Sequence, residues 1–140
     1  MTEKKKFRFK VNADVNELQR VLDFVDVCVQ GFDCSPKTMI QINVSVEEIF
    51  VNIAHYAYSD KTGEAVIEVE IIDELKTSAI TFIDCGIKYD PLAKPDPDVT
   101  LSAKDRKIGG LGIFMTKKFM DELLYEYRDG QNVFCMKKKL

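Results

Sequence analysis

Three short stretches of this 140-residue chain carry groups whose types and spacing could do chemistry together. In the first, Glu48 and Asn52 lie four residues apart, so on a helix they stack on one face beside the apolar stripe. A carboxylate and an amide oxygen projecting there can serve as a base and as a ligand for a divalent metal. Mg²⁺ takes few protein oxygens and completes its shell with water and phosphate oxygens. By itself Glu-x-x-x-Asn more often marks an exposed polar face. In the second stretch, Asp84-Cys85-Gly86 follows the apolar run Ile80-Thr81-Phe82-Ile83. An ionised aspartate accepts hydrogen bonds and cannot donate them. At the mouth of a strand it can therefore receive the exocyclic amine of adenine, while Gly86 lets backbone approach a flat base. The plain alternative is a turn that ends a strand. In the third stretch, Gly109-Gly110-Leu111-Gly112 opens a helix. Amides unobstructed by Cβ atoms, with the helix dipole behind them, form an anion site suited to phosphates. No Lys-Ser/Thr follows as a P-loop requires, and Met115 stands where a dinucleotide fingerprint has its third glycine. Glycine-rich turns also open helices for structural reasons.

The elements that must position these groups are legible from periodicity. Residues 7–11 alternate apolar and basic side chains and read as an opening strand. Val15, Leu18, Val21, Leu22, Val25 and Val29 recur at helical spacing, which predicts a helix over about 14–30. Ser35-Pro36 starts a second helix, with the hydroxyl as cap and proline at the first position, where its missing donor costs nothing. Its apolar face, Ile42, Val46, Ile49, Ile53 and Ala57, spans roughly 80° of the helical wheel. From 65 the period changes to two: strands over 65–72 and 78–83 form a hairpin. The stretch from about 85 to 108 has no periodicity and holds Pro91, Pro95 and Pro97, and its length makes it a candidate lid. A helix over about 111–121 and a hairpin turning at Asp129-Gly130 complete the chain. The order β-α-α-β-β-loop-α-β-β predicts an α+β two-layer sandwich, with about three helices on one face of a mixed sheet. A phosphoacceptor aspartate of the response-regulator kind would need alternating parallel βαβ units, which this order lacks.

Composition narrows the partners. Hydrophobic residues make up 46% and charged residues 31%, too apolar for a disordered chain, and the formal net charge of −3 argues against a protein built to neutralise nucleic-acid phosphates. No apolar run reaches the roughly 18 residues of a membrane span, nor is there a signal-peptide core behind Lys4-Lys5-Lys6. The chain reads as cytoplasmic, with no direct nucleic-acid or membrane contact. Cys28, Cys34, Cys85 and Cys135 are scattered and His55 is the one histidine, so a zinc site would need distant singletons. The cysteines read as small buried hydrophobes.

Taken in order, these stretches resemble the GHKL (Bergerat-fold) ATPases, and within them the small bacterial anti-sigma-factor serine kinases. The segment from Val46 to His55 looks like the family's N box, and Asp84-Cys85-Gly86 through Tyr89-Asp90-Pro91 is similar to its adenine motif and the start of its lid. Gly109 to Met115, continuing to Met120-Asp121-Glu122, looks like its glycine box. The resemblance covers most of the chain and implies one ATP-binding kinase domain over 1–140, with an ATP lid at about 87–108. It implies that Asn52 binds Mg²⁺, that Glu48 orients or deprotonates the attacking hydroxyl, and that Asp84 with Gly86 receives adenine. The Gly109-Gly110-Leu111-Gly112 amides would cradle phosphates, and the lid cations Arg106 and Lys107 would neutralise the γ-phosphate.

Family members transfer the ATP γ-phosphoryl group to a serine on a small anti-sigma-factor antagonist, hold a sigma factor inactive, and are commonly homodimers. The alternative reading is a catalytically inactive adenine-nucleotide-binding module that sequesters a protein partner. Two positions depart from the pattern. Where the family's last hairpin often has a Gly-Thr pair supporting the adenine site, this chain reads Gly130-Gln131-Asn132. Lys88 replaces the second glycine of the longer ATPases' adenine motif, a change that the small anti-sigma kinases share. Histidine kinases need a separate phosphoacceptor helix, for which the expected domain leaves no room, and His55 inside the N box reads as packing or pocket-lining.

Overall fold

Alternation along the strands and a three-to-four repeat along the helices build two layers. The computed structural model describes residues 4–32, 34–58, 61–93 and 111–140. Strand β1 (Lys4–Asn12) leads through a 3-10 turn at Val15–Glu17 into α1 (Leu18–Val29) and α2 (Pro36–Tyr56). Strands β2 (Glu64–Ile72) and β3 (Thr77–Asp84) follow, then α3 (Leu111–Phe119) and the hairpin β4 (Glu122–Arg128) and β5 (Gln131–Lys139). The predicted helix over 14–30 is thus split: Asp14 caps the 3-10 turn by accepting from the Asn16 N–H before the α-helix begins. Ser35 caps α2 as expected, accepting from the Thr38 N–H at 3.1 Å.

The strands lie in the order β1-β2-β3-β5-β4, and every neighbouring pair is antiparallel. This corrects the expectation of a mixed sheet. A parallel neighbour needs a crossover connection, whereas β2–β3 and β4–β5 are direct hairpins and the strand order seats β5 rather than β4 beside β3. The β4–β5 turn places Asp129 at φ 54° and Gly130 at φ 76°. Positive φ at both central residues is the two-residue hairpin geometry that Asp-Gly favours.

One face of the sheet is buried. Ala65, Ile67, Val69 and Ile71 of β2, Ile80 and Phe82 of β3, and Phe134 and Met136 of β5 meet Val21, Val25 and Val29 of α1 and Ile42, Val46 and Phe50 of α2. The opposite face carries the basic side of β1, where Lys6 and Arg8 approach Glu68 at 3.8 and 3.6 Å. Such exposed pairs contribute about 0–1 kcal/mol each. Cys28 is buried, Cys34 and Cys135 are half-buried, and Cys85 is exposed, contrary to the reading of all four as buried. Asp84 points inward at the end of β3, so the next residue along the alternation turns out. Among the described residues no helix is long and apolar enough to cross a membrane.

The contact between α1 and α2 contains two uncomfortable oxygens. Asp26 Oδ1 and Asn43 Oδ1 are shut from water, and neither has a hydrogen-bond partner among the described residues. Burial pushes the Asp26 carboxyl above its ordinary value, an effect that the Asn43 side chain opposes and the nearby Asp23 charge reinforces. A raised folded-state pKa means that folding favours the protonated form, so stability is lost as pH rises through that pKa. Asp26→Asn should therefore raise the melting temperature at pH 7, and the gain should shrink as pH falls into the ordinary carboxylate range. Thermal unfolding of both proteins at pH 7 and pH 4 checks this.

Candidate functional site

Asp84 ends β3 with 5% of its surface exposed, facing the helical layer. A carboxylate so placed needs donors, and two converge on Oδ1: the Gly86 N–H and the Asn132 Nδ2, both at 2.9 Å. Asn132 can do this because the β3–β5 register sets it directly opposite Asp84. Its Nδ2 also donates to the Ile87 carbonyl at 2.9 Å, and its Oδ1 accepts from the Tyr89 N–H at 3.1 Å and from the Tyr125 hydroxyl. Burial pushes the Tyr125 phenol upward, so it remains a donor through the neutral range.

The C-terminal end of α2 anchors the same loop. Ile87 N–H donates to the Ala57 carbonyl at 2.7 Å. The Tyr58 hydroxyl donates to the Glu64 carbonyl and accepts from the Cys85 N–H, joining the end of α2 to the start of β2 and the end of β3. Gly86 sits so close to this helix end that a Cβ would lie 2.1 Å from the Ala57 carbonyl oxygen. The close approach expected at Gly86 is thus to helix backbone. Tyr58, two residues past the end of α2 with Gly63 packed against its ring, was missed in the sequence.

On α2, Glu48 and Asn52 share a face as their spacing required, and the Asn52 Nδ2 donates to Glu48 Oε1 at 3.1 Å. This leaves the amide oxygen of Asn52 as the end available to a hard cation, and a single protein oxygen fits Mg²⁺, which keeps phosphate and water ligands. At the start of α3, a Cβ on Gly112 would lie 2.0 Å from Glu48 Oε2, so the helix start rests against that carboxylate. Asn52 and Asp84 line one cleft, whose apolar walls include Ile49, Ile53, Phe82, Ile87 and Phe134. Glu48 lies outside it, in a groove between α2 and α3 that Val44, Glu47, Val51, Gly112 and Met115 complete. The arrangement offers an apolar slot ending in a hydrogen-bond acceptor, then an amide oxygen, then a carboxylate. Arg106, Gly109 and Gly110 lie outside the described residues, as does the expected lid beyond Ala93. Leu111 is the first residue of α3. His55 is exposed, its ring edge-on to Tyr56, and does not line the cleft.

Comparison with known proteins decides the family. The profile described as "Histidine kinase-like ATPase domain" matches residues 11–138. The chain belongs to this family. Among curated proteins, the histidine kinase-like ATPase domain found here is 26% identical over 98 residues to the serine/threonine-protein kinase BtrW of Bordetella bronchiseptica, covering 70% of this chain and 68% of that protein. Among solved structures, the RsbU and RsbW domains of a Mycobacterium tuberculosis protein match over 97% of this chain with a TM-score of 0.68 and 12% identity. The histidine kinase domain of a blue-light-activated histidine kinase from Erythrobacter litoralis matches over 90%, with a TM-score of 0.56 and 14% identity. This chain spans 32% of the first solved chain and 60% of the second. At these identities the structures show the shared fold, which is the α+β sandwich expected for GHKL ATPases.

Gly86 and Gly112, both crowded, should respond differently to alanine. At Gly86 the obstacle is backbone, so Gly86→Ala should lower the free energy of unfolding by about 1–3 kcal/mol, the usual range for overpacking. At Gly112 the obstacle is the far end of the Glu48 side chain, which can swing away, so Gly112→Ala should change stability far less. Urea denaturation of the two variants measures the difference.

Proposed function

We propose that this protein is an ATP-dependent serine/threonine protein kinase acting as an anti-sigma factor. It phosphorylates a serine on a small anti-sigma-factor antagonist and sequesters a sigma factor. The observation that carries the reading is the cleft that joins a buried acceptor, Asp84, to Asn52, with Glu48 hydrogen-bonded to Asn52 on the groove side. The curated relative named a serine/threonine-protein kinase supports the reaction class, and the anti-sigma role rests on the motif resemblance.

In this reading the exocyclic amine of adenine donates to Asp84, beside Gly86, and the ring lies among Ile49, Ile53 and Phe82. Asn52 would hold Mg²⁺, which supplies charge neutralisation across the phosphates when bound. The amides of Gly109, Gly110, Leu111 and Gly112 cradle the phosphates, and Arg106 and Lys107 meet the γ-phosphate from the lid. Glu48 orients the serine hydroxyl and takes its proton as that oxygen bonds to the γ-phosphorus. The bond to the bridging oxygen then breaks and ADP leaves. Such transfer depends on positioning and charge neutralisation rather than on covalent chemistry by the enzyme.

Mixing the protein with radiolabelled Mg-ATP and a purified candidate antagonist should label a serine on the antagonist. Glu48→Gln should reduce that labelling by about 10²- to 10⁴-fold, the usual worth of a general base. Its ATP affinity, measured by calorimetry, should stay nearly unchanged. Unaltered transfer by the variant would refute the role of Glu48. ATP binding without transfer by the wild type would favour the inactive regulatory module.

A further inference from the structure

We infer that Asn132 is the positioning residue that makes the cleft selective for adenine, by locking Asp84 and the root of the lid into one hydrogen-bonded unit. The inference rests on the nucleotide reading above and concerns the position where the sequence departs from the family pattern. Asn132 is 6% exposed, and all four of its side-chain hydrogen-bonding positions are in use. Nδ2 donates to Asp84 Oδ1 and to the Ile87 carbonyl, each at 2.9 Å. Oδ1 accepts from the Tyr89 N–H and from the Tyr125 hydroxyl. The amide has one tenable orientation. Turned over, its oxygen would face a carboxylate and a carbonyl, and its NH₂ would face the Tyr89 N–H.

Two consequences follow from this saturation. First, the carboxylate of Asp84 cannot rotate freely: the hydrogen bonds it receives from Asn132 and Gly86 both fall on Oδ1, which leaves Oδ2 to accept from a ligand in the cleft. A fixed acceptor matches the amine at C6 of adenine and opposes the carbonyl oxygen of a 6-oxopurine, and a site built to meet a polar group discriminates strongly against its absence. Second, Ile87 and Tyr89, where the chain leaves the sheet for the lid, hang from the same amide. A single hydroxyl at this position has one proton to give, so it could not donate to Asp84 and to the Ile87 carbonyl at once.

The test compares ATP with inosine 5′-triphosphate, which differs from it at C6, by calorimetry on wild type, Asn132→Ala and Tyr125→Phe. Hydrogen exchange of residues 85–93 is followed in parallel. Asn132→Ala should weaken ATP binding by about 10- to 100-fold, the worth of a hydrogen bond to a charged group. It should weaken inosine triphosphate binding much less, so that selectivity collapses, and exchange at Ile87 and Tyr89 should accelerate while β2 stays protected. Tyr125→Phe, which removes one bond to Asn132, should shift both readouts the same way by a smaller amount. Equal weakening of both nucleotides, or unchanged exchange at 85–93, would mean a merely structural role and overturn the inference. If the wild type binds ATP but the variants keep its selectivity, this inference alone fails. A wild type that binds neither nucleotide overturns the nucleotide reading as well.

Discussion

A carboxylate only 5% exposed at the end of a strand is the constraint around which the site is organised. An unpaired charge in such a place costs several kcal/mol, so Asp84 can stay only where hydrogen-bond donors are held against it. Strand order supplies them. Because β5 lies between β3 and β4, a residue of the final hairpin stands directly across from Asp84, and that residue is an asparagine with two donors to give. The chain then turns so tightly that Gly86 adds a backbone donor, a path that brings it against the last turn of α2. The fold's closing strand, the buried carboxylate and the loop that leaves β3 are thereby a single problem with a single solution.

Helix α2 connects that solution to the rest of the chemistry. Its inner face, with Ile42, Val46, Ile49 and Phe50, belongs to the core and fixes the helix against the sheet. Its edge then presents Asn52 toward the cleft that holds Asp84, and Glu48, one turn earlier, toward the groove beneath α3. The carboxylate of Glu48 accepts from the amide of Asn52 and packs against Gly112. The spacing of Glu48 and Asn52 is set by one turn of a helix whose inner face is fixed in the core.

Much of this was legible in the sequence where a residue's own periodicity decides the outcome. The helical repeat located α2, and with it the shared face of Glu48 and Asn52; the period-two runs located β2, β3 and the final hairpin, with its Asp-Gly turn. Less legible was whatever depends on two distant segments meeting. The all-antiparallel sheet follows from β5 rather than β4 lying beside β3, an order that periodicity does not express. Asn132 looked like a missing hydroxyl until the register placed it across from Asp84. Tyr58 gave no pattern at all, since its hydroxyl serves carbonyl and amide groups of two strands. Gly86 was singled out for the approach of a flat base; the seat of its Cα against the end of α2 was not legible.

The central claim is that an adenine nucleotide binds in the cleft between the end of β3 and α2. Titrating isotopically labelled protein with Mg-ADP and following the amide resonances by NMR addresses it most directly. The account predicts saturable shifts concentrated at the Gly86 backbone amide and at the side-chain amides of Asn52 and Asn132, with the outer face of β1 and β2 unmoved. Shifts that saturate elsewhere on the molecule, or none at millimolar nucleotide, would contradict it.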